Sequence, residues 1–173
     1  MKLQLLFVAL LATLNLSALT VGEIPKTAII KGDNGGYVSD GSAWSSTMLK
    51  DKVYVVFYVD PDEKDTNTHF SDALKAKEYR KKGAYGSVAI VNLAATWKPN
   101  FIIEKLLKSK QEEFPQTIYV KDKHSVLVNE WDLADNASDI LIFDKDGTLL
   151  FYKAGAMDEE DMQNAFEIIE AHI

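Results

Sequence analysis

Two near-continuous apolar runs separated by one amphipathic segment constrain the fold of this chain more than any other feature. The first run is VYVVFYV at 53–59 and the second is SVAIVNL at 87–93. Runs of β-branched and aromatic residues without polar alternation are typical of strands buried on both faces of a sheet. The residues between them predict a helix from His69 to Lys82. The pattern therefore predicts two parallel strands joined by a right-handed helical crossover.

The C-terminal half adds an antiparallel part to this parallel core. A helix is predicted from Asn100, its cap, through Lys110, and two strand-like segments follow, TIYVKD at 117–122 and SVLVNEWDL at 125–133. The segment ILIFDKDGTLLFYKAG then predicts a hairpin, because Gly147 supplies the positive φ that its turn needs. A last helix is predicted after Asp158, which is a favourable N-cap residue.

The N-terminal part contains two short strand-like pieces around the sequence DNGG at 33–36. Asn and Gly tolerate the positive φ of a tight turn, so this segment predicts a hairpin. The complete order predicts an α/β fold that is thioredoxin-like, with a central mixed sheet flanked by helices and an N-terminal β-hairpin.

The first 18 residues have the pattern of a secretory signal peptide. Lys2 precedes an apolar run from Leu3 to Leu14, and small residues follow up to Ala18. A short membrane anchor is the alternative, but the run is shorter than the roughly 20 residues of a membrane span. We expect cleavage after Ala18, a single domain over 19–173, and export to a bacterial periplasm without later membrane attachment.

The charge balance limits the partners. The formal net charge is -7 and the chain has 26 acidic against 19 basic residues. Binding to nucleic acid or to an anionic lipid surface needs a cationic footprint, so neither is the expected partner. We expect a monomer without a cofactor, with a periplasmic protein or a small ligand as its partner.

The chain contains no cysteine, so it has no thiol group for redox chemistry. A thioredoxin-type site needs a low-pKa cysteine near the start of the first crossover helix. That position falls within 60–66, and Ser138 stands where such sites commonly have a cis-proline. Thiol oxidoreductase and peroxidase activities are therefore excluded on chemical grounds.

Several segments in a fixed order carry a resemblance to a known family. They are AWSSTMLKDKVYVV at 43–56, IVN at 90–92, FPQTIYVKD at 114–122, NEWDL at 129–133 and ASDILIFDKDGTLLFYKAGAM at 137–157. Through these segments the chain resembles the YtfJ family of exported bacterial proteins. The resemblance implies a thioredoxin-like fold and an exported location, and it implies no particular reaction.

The candidate binding edge consists of the loops that follow the carboxyl ends of the parallel strands. Ligands of open α/β sheets bind outside these strand ends, so we expect loops 60–66, 94–99 and 136–139 to form the interaction surface. The candidate residues in these loops and beside them are Asp60, Asp62, Asp65, Thr66, His69, Trp97, Ser138 and Asp139.

Carboxylates cluster in DPDEKD at 60–65, which leaves two alternatives open. Asp60, Asp62 and Asp65 are weak candidates for a Ca²⁺ or Mg²⁺ site, although the spacing is not that of an EF-hand. The other interpretation is a solvated loop whose charges favour the N-terminus of the next helix. A non-thiol enzyme that uses Asp60, Asp62, His69 and Ser138 is a further hypothesis.

Two other features are open to a functional and a structural interpretation. Lys75, Lys77 and the run 80–82 form either an anion site or a solvated helix face. The chain has three tryptophans, and core packing is the default interpretation for each. Trp97 lies in a loop before a helix, where exposure is easiest, so it is also a candidate anchor for a partner.

Overall fold

The computed structural model describes residues 19–79 and 83–173. The predicted signal peptide and the run 80–82 lie outside the described residues. The strands are β1 Ile29–Ile30, β2 Gly35–Tyr37, β3 Trp44–Ser45, β4 Val53–Val59, β5 Tyr85–Asn92, β6 Thr117–Asp122, β7 Ser138–Phe143 and β8 Leu149–Lys153. The α-helices are α1 Thr68–Ala76, α2 Asn100–Glu113, α3 Val126–Trp131 and α4 Glu159–His172.

Six of these strands form one mixed sheet in the order β2-β6-β5-β4-β7-β8. Strands β4, β5 and β6 are parallel neighbours, whereas β7 pairs antiparallel with β4 and β8 antiparallel with β7. The predicted crossover from β4 through α1 to β5 is therefore confirmed, as is the closing hairpin. The fold is thioredoxin-like, with a central mixed sheet flanked by helices.

Alternation along the central strand divides the core into two faces. Tyr54, Val56 and Tyr58 pack on one face with α3 and the N-terminal segment, in a cluster that includes both Trp44 and Trp131. Val53 and Val55 pack on the other face with α1 and α4. Helix α2 covers the same second face over β5 and β6. Burial on both faces explains why the strand lacks polar alternation.

The N-terminal antiparallel pair exists, but the predicted turn is wrong. Strand β1 pairs with β3, and β2 instead joins the edge of the main sheet beside β6. Gly35 and Gly36 thus lie in a strand and not in a hairpin turn. An added Cβ on Gly35 would lie 2.0 Å from the carbonyl oxygen of Lys121, so the close approach of two backbones requires glycine here.

The segment 125–133 was predicted to be a strand, and this prediction is wrong. Residues Val126–Trp131 form α3, because the Asp122 carboxylate accepts hydrogen bonds from the backbone N–H groups of Val126 (2.9 Å) and Leu127 (3.1 Å). These two donors would otherwise be unpaired at the helix start. In so short a segment the spacing of apolar residues fits both the period of a strand and the period of a helix. Contacts with distant residues therefore decide which of the two forms.

Helix boundaries differ from the predicted ones by several residues. Helix α1 ends at Ala76 rather than at Lys82, and Glu78 has a left-handed φ of 51° that stops the helix. Helix α2 extends to Glu113, with Asn100 as its first residue. In the parts of the chain that the structure covers, every helix is too short or too polar to cross a membrane.

Candidate functional site

Three loops meet at the end of the sheet where β4 and β5 finish and β7 begins. The Asp60 N–H donates to the carbonyl oxygen of Ala137 over 2.9 Å, which joins the loop after β4 to the start of β7. The Thr96 hydroxyl donates to Asp62 Oδ2 over 2.7 Å, which joins the loop after β4 to the loop after β5. The predicted loops 60–66, 94–99 and 136–139 therefore lie side by side as one surface.

The buried side chain of Asn67 lies between the start of α1 and Ser138, where a thioredoxin-type site would lie. It directly precedes α1, where an asparagine side chain usually caps the helix, but no such cap forms. Its Nδ2 donates instead to the Ser138 carbonyl (3.0 Å), the Ser138 hydroxyl (3.1 Å) and the Gly155 carbonyl (3.0 Å). Its Oδ1 accepts from the Met157 N–H over 2.9 Å. This buried amide ties the start of the crossover helix to the first residue of β7 and to the segment after β8.

Asp62 holds the loop that carries Trp97. Its carboxylate accepts from the Thr96 hydroxyl and forms an ion pair with Lys98, so both neighbours of Trp97 are fixed. The hydrogen bond from Lys98, followed by that from Thr96, lowers the pKa of Asp62. Trp97 itself is 87% exposed. A large aromatic side chain is thus presented to solvent on a loop that specific hydrogen bonds hold in place.

The acidic loop uses its carboxylates internally. Asp60 Oδ1 accepts from the Asp62 N–H over 2.8 Å, and Glu63 accepts from the Thr66 hydroxyl over 2.6 Å. Asp65 pairs with the neighbouring Lys64. Across residues 19–79 and 83–173, no three His, Asp or Glu side chains converge in a way that could hold a metal ion. The structure therefore does not bring the weak cation candidates Asp60, Asp62 and Asp65 together around a common point.

The residues of the hypothetical non-thiol enzyme are also held apart. His69 Nε2 contacts the carbonyl oxygen of Met157 at 2.9 Å, and the Ser138 hydroxyl accepts from Asn67. Asp60 bonds to backbone, and Asp62 bonds to the Trp97 loop. Among the described residues there is no hydrogen bond between any two of these four candidate side chains.

A row of buried polar side chains crosses the sheet beneath this edge, on the α3 face. Asp122 on β6 accepts from the Tyr58 hydroxyl of β4 over 3.1 Å. Asn92 at the end of β5 donates to Asp135 Oδ1 (3.3 Å) and accepts from the Ser125 hydroxyl (3.0 Å). These bonds fix the loops on the inner side, because a buried polar group that lacks water needs partners within the protein.

Asp139 adds a buried carboxylate to this row. It is fully buried opposite Tyr58, and its Oδ2 accepts from the Ala134 N–H over 3.0 Å. Its Oδ1 makes no hydrogen bond within the described part of the chain. Burial raises the pKa of Asp139 to about 6, and the backbone amides of Gly155 and Ala134 oppose the shift only in part. Burial likewise raises the pKa of Asp60.

The basic helix and the tryptophans have mostly structural roles. Lys77 forms an ion pair with Glu170 at 2.9 Å, and Lys75 lies 5.2 Å from the ring centre of Phe114. Trp44 and Trp131 are buried, as the default interpretation predicted. Trp97 departs from that default by being exposed, and it alone of the three is available as an anchor.

Sequence reasoning missed Asn67, Asn92 and Asp122 as residues of this region. Asp122 and Asn92 are each the last residue of a parallel strand, and this position is the signal that could have placed them near the edge. Asn67 gave the ordinary signal of a helix cap, and its contacts with Ser138 and Met157 join residues 71 and 90 positions apart.

The fold matches solved structures of thioredoxin-like proteins. One is a protein described as a putative thiol:disulfide interchange protein DsbE from Chlorobium tepidum, with a TM-score of 0.63 and 13% identity over 89% of this chain and 98% of that chain. Another is a putative protein disulfide isomerase from Bacteroides thetaiotaomicron, with a TM-score of 0.61 and 11% identity over 89% of this chain and 90% of that chain. At such identities the similarity shows the fold alone.

Sequence relatives are found in two bacteria. The "Uncharacterized protein YtfJ" of Escherichia coli (strain K12) is 25% identical over 130 residues, which cover 73% of this chain and 70% of that protein. An "Uncharacterized protein" of Haemophilus influenzae is 29% identical over the same shares. The family described as "Bacterial protein of unknown function (YtfJ_HI0045)" matches residues 25–172. Since this match spans most of the chain, the protein belongs to the YtfJ family of bacterial proteins.

Proposed function

We propose that this protein is a thiol-free binding module that acts in the bacterial periplasm and recognises another protein through its loop edge. The observation that carries the proposal is the presentation of Trp97, which is 87% exposed although both of its neighbours are fixed by Asp62. Ordering a loop costs conformational entropy, and here the order leaves the largest apolar side chain of the loop in water. Exposed tryptophans on rigid supports are typical anchors of protein interfaces.

The closed loop junction supports a binding role over a catalytic one. The chain has no cysteine that could carry out thiol chemistry. The Asn67 side chain occupies the junction where the start of α1 meets Ser138. The four candidate groups of a non-thiol enzyme bond to other partners. What the edge offers is therefore a fixed surface and not a set of reacting groups.

Affinity capture tests this proposal. The wild-type protein without residues 1–18 would be immobilised and incubated with a periplasmic extract of a bacterium that makes it. We expect a retained protein whose amount falls strongly with W97A and with D62A. The control is V21D, because Val21 is 58% exposed and lies two residues from Leu19, which packs against the core cluster on the α3 face of the sheet. Equal retention by wild type, W97A and V21D would contradict the proposal.

Export is tested separately. The full-length chain would be expressed in a Gram-negative host and the periplasmic fraction analysed by intact mass spectrometry. We expect a mass that corresponds to a chain beginning at Leu19. A full-length protein in the cytoplasmic fraction would contradict the periplasmic part of the proposal and leave the binding role to the capture experiment.

A further inference from the structure

The surface around Trp97 carries more negative than positive charge. The loops that meet there, 60–66, 94–99 and 134–137, contain five carboxylates and two lysines, which leaves a net charge of -3 when all are ionised. The loop 134–137 belongs to this surface because Asp135 Oδ1 accepts from Nδ2 of Asn92, the last residue of β5, over 3.3 Å. We call Trp97 and these carboxylates the acidic edge; the carboxylates are Asp60, Asp62, Glu63, Asp65 and Asp135.

The two lysines neutralise only part of this charge. Lys98 pairs with Asp62, and Lys64 pairs with Asp65. Across residues 19–79 and 83–173, three carboxylates of the acidic edge have no ion-pair partner; they are Asp60, Glu63 and Asp135. Their hydrogen bonds come from neutral donors, namely a backbone N–H, a hydroxyl and a side-chain amide. A neutral donor satisfies a carboxylate oxygen but leaves its charge in place.

The Asp60 carboxyl lies in a negative field from its neighbours. Burial raises the pKa of Asp60, and the charges of Asp62, Glu63 and Asp135 raise it further, against the opposing hydrogen bond from the Asp62 N–H. These three carboxylates come from two different loops, and each disfavours the ionised form of the others. Cationic groups brought to this surface would relieve that repulsion.

A buried carboxylate adds to the charge from below. Asp139 is fully buried, and its Oδ1 accepts no hydrogen bond within the described part of the chain. The pKa of Tyr58 is raised by burial and, to a smaller extent, by carboxylates that include Asp135 and Asp139, which places both near the same hydroxyl. Above its pKa of about 6, Asp139 therefore extends the negative potential beneath the acidic edge.

Trp97 supplies the apolar contact of the acidic edge. It is 87% exposed, and its ring contacts no other ring and no cation within the described residues. The neighbouring Lys98 is held by Asp62 instead. A lysine or arginine over the face of an indole is attracted by the π electrons of the ring, and tryptophan gives the strongest such contact. The indole is thus available to a cation from another molecule.

We propose that the acidic edge binds a basic segment of a partner protein, with one lysine or arginine over Trp97 and further cations beside Glu63 and Asp135. This inference rests on the proposed function and names the chemistry of its partner. The apolar stem of the first side chain covers the indole, while its charge faces the carboxylates. The remaining cations gain attraction from carboxylates that have no ion-pair partner among the described residues.

A second copy of the chain fits this surface poorly. A two-fold axis through the acidic edge would bring the carboxylates of both copies together. A head-to-tail contact would need a basic surface, and the described cations of α1 are engaged, Lys77 by Glu170 and Lys75 by the ring of Phe114. Such a contact would also repeat from copy to copy without closing.

Lipids and small cations are disfavoured as well. An anionic lipid surface would be repelled by the acidic edge and by the net charge of -7. A small organic cation would meet a single open ring, whereas sites for such ligands enclose them in several aromatic side chains. Among the described residues, no three His, Asp or Glu side chains converge to hold a metal ion. A chain segment is the occupant that reaches Trp97 and the carboxylates at once.

A displayed random dodecapeptide library tests the proposal. The library would be selected on the immobilised protein without residues 1–18 and counter-selected on W97A. We expect the enriched peptides to carry a net positive charge from Lys and Arg. One such peptide, synthesised with a fluorescein label, would be titrated by fluorescence anisotropy. We expect W97A to weaken its binding by at least about tenfold. Added salt should weaken the binding to wild type, because the charges are exposed.

The charges have their own variant. E63Q/D135N removes two negative charges, and both new side chains keep an oxygen that can accept the existing hydrogen bonds. We expect it to weaken the binding of the basic peptide by at least about fivefold. D51N/E112Q is the matched control, because it removes two exposed charges at the opposite end of the sheet, before β4 and near the end of α2. This control should stay within about twofold of the wild-type affinity.

Several results would overturn the proposal. Enriched peptides without an excess of Lys and Arg, or a selection that returns no peptide dependent on Trp97, would remove the basic segment as the occupant. Unchanged binding by E63Q/D135N, or an equal loss in D51N/E112Q, would refute the role of Glu63 and Asp135. Spermidine that competes as well as the peptide at equal concentration would favour a small cation. Association of the protein in sedimentation that E63Q/D135N abolishes would favour a second copy.

The proposed function can be separated from this inference. If capture from the periplasmic extract falls with W97A and D62A but not with E63Q/D135N, the binding function stands and its partner is not recognised through these charges. Unchanged capture with W97A contradicts the proposed function, whatever the peptides show.

Discussion

The side-chain amide of Asn67 donates to both the carbonyl oxygen and the hydroxyl oxygen of Ser138, over 3.0 Å and 3.1 Å. These residues belong to the two loops that would carry the cysteine and the cis-proline of a thioredoxin-type site. The loops still meet in this protein, and a buried amide now joins them. The junction is thus a structural connection, and Trp97 on the neighbouring loop is exposed.

Removing this amide should destabilise the fold. N67A leaves the Met157 N–H and the carbonyls of Ser138 and Gly155 without their partner. An unsatisfied buried group costs about 1–3 kcal/mol, so we expect a loss of about 3 kcal/mol in the free energy of unfolding by urea. The control N164A changes an exposed asparagine on α4 and should stay within about 0.5 kcal/mol of wild type. Equal stability of N67A and wild type would show that the junction is not structural.

The buried Asp139 should make stability fall as the pH rises. Its pKa is raised to about 6 in the folded protein, so the folded state binds the proton more tightly than the unfolded state does. The stabilisation by the protonated carboxyl is complete below the unfolded pKa and disappears as the pH passes 6. Relative to wild type, D139N should therefore gain about 2 kcal/mol of unfolding free energy between pH 4.5 and pH 7.5.

Urea titrations across this range would measure the gain. D146N provides the control, because the pKa of Asp146 is shifted in the opposite direction. The Thr148 N–H lowers the pKa of Asp146, so its contribution changes only below the unfolded value. The difference between D146N and wild type should stay constant from pH 4.5 to 7.5. If the difference in unfolding free energy between D139N and wild type were also independent of pH, the pKa of Asp139 would not be raised in the folded protein.

Loss of Asp62 should loosen the Trp97 loop without unfolding the protein. D62A removes the acceptor for Thr96 and the ion-pair partner of Lys98. Since the pair is partly exposed, we expect less than about 1 kcal/mol of global destabilisation but faster amide hydrogen exchange at 94–99. D65A is the matched control in the same loop, because Asp65 pairs only with its neighbour Lys64. Similar exchange in D62A and D65A would argue against the support of the Trp97 loop by Asp62.

Divalent cations should leave the protein unchanged. The carboxylates of Asp60, Asp62 and Glu63 already accept hydrogen bonds from protein groups, and a cation would have to displace them. We expect no change of the melting temperature on adding millimolar CaCl₂ or MgCl₂. A rise that EDTA reverses and that D60N/D65N abolishes would establish the cation site that the acidic cluster suggests.

Sequence reasoning recovers the parallel core because its signals are local. The continuous apolar run at 53–59 predicts a strand that is buried on both faces, and the amphipathic segment after it predicts the crossover helix. The hairpin around Gly147 is equally local, since its turn needs one residue with positive φ. Family resemblance and fold class follow from these segments and their order.

Prediction fails where distant groups decide the local structure. Within the segment 125–133, residues Val126–Trp131 form a helix because the Asp122 carboxylate accepts hydrogen bonds from the first N–H groups of that helix. Gly35 leaves its expected turn because the backbone of Lys121 must approach within a distance that excludes a Cβ. Neither cause is visible in the segment itself.

The sequence by itself therefore determined the thioredoxin-like class, the absence of thiol chemistry and the loops that border the strand ends. Only the tertiary structure decided what these loops do with their side chains. It placed Asn67 in the junction with Ser138, used Asp62 to hold Trp97 outward, and buried Asp139 in the sheet. The physical reason is that composition and periodicity specify burial and backbone shape, whereas hydrogen bonds between residues far apart in the chain exist only after the strands have come together.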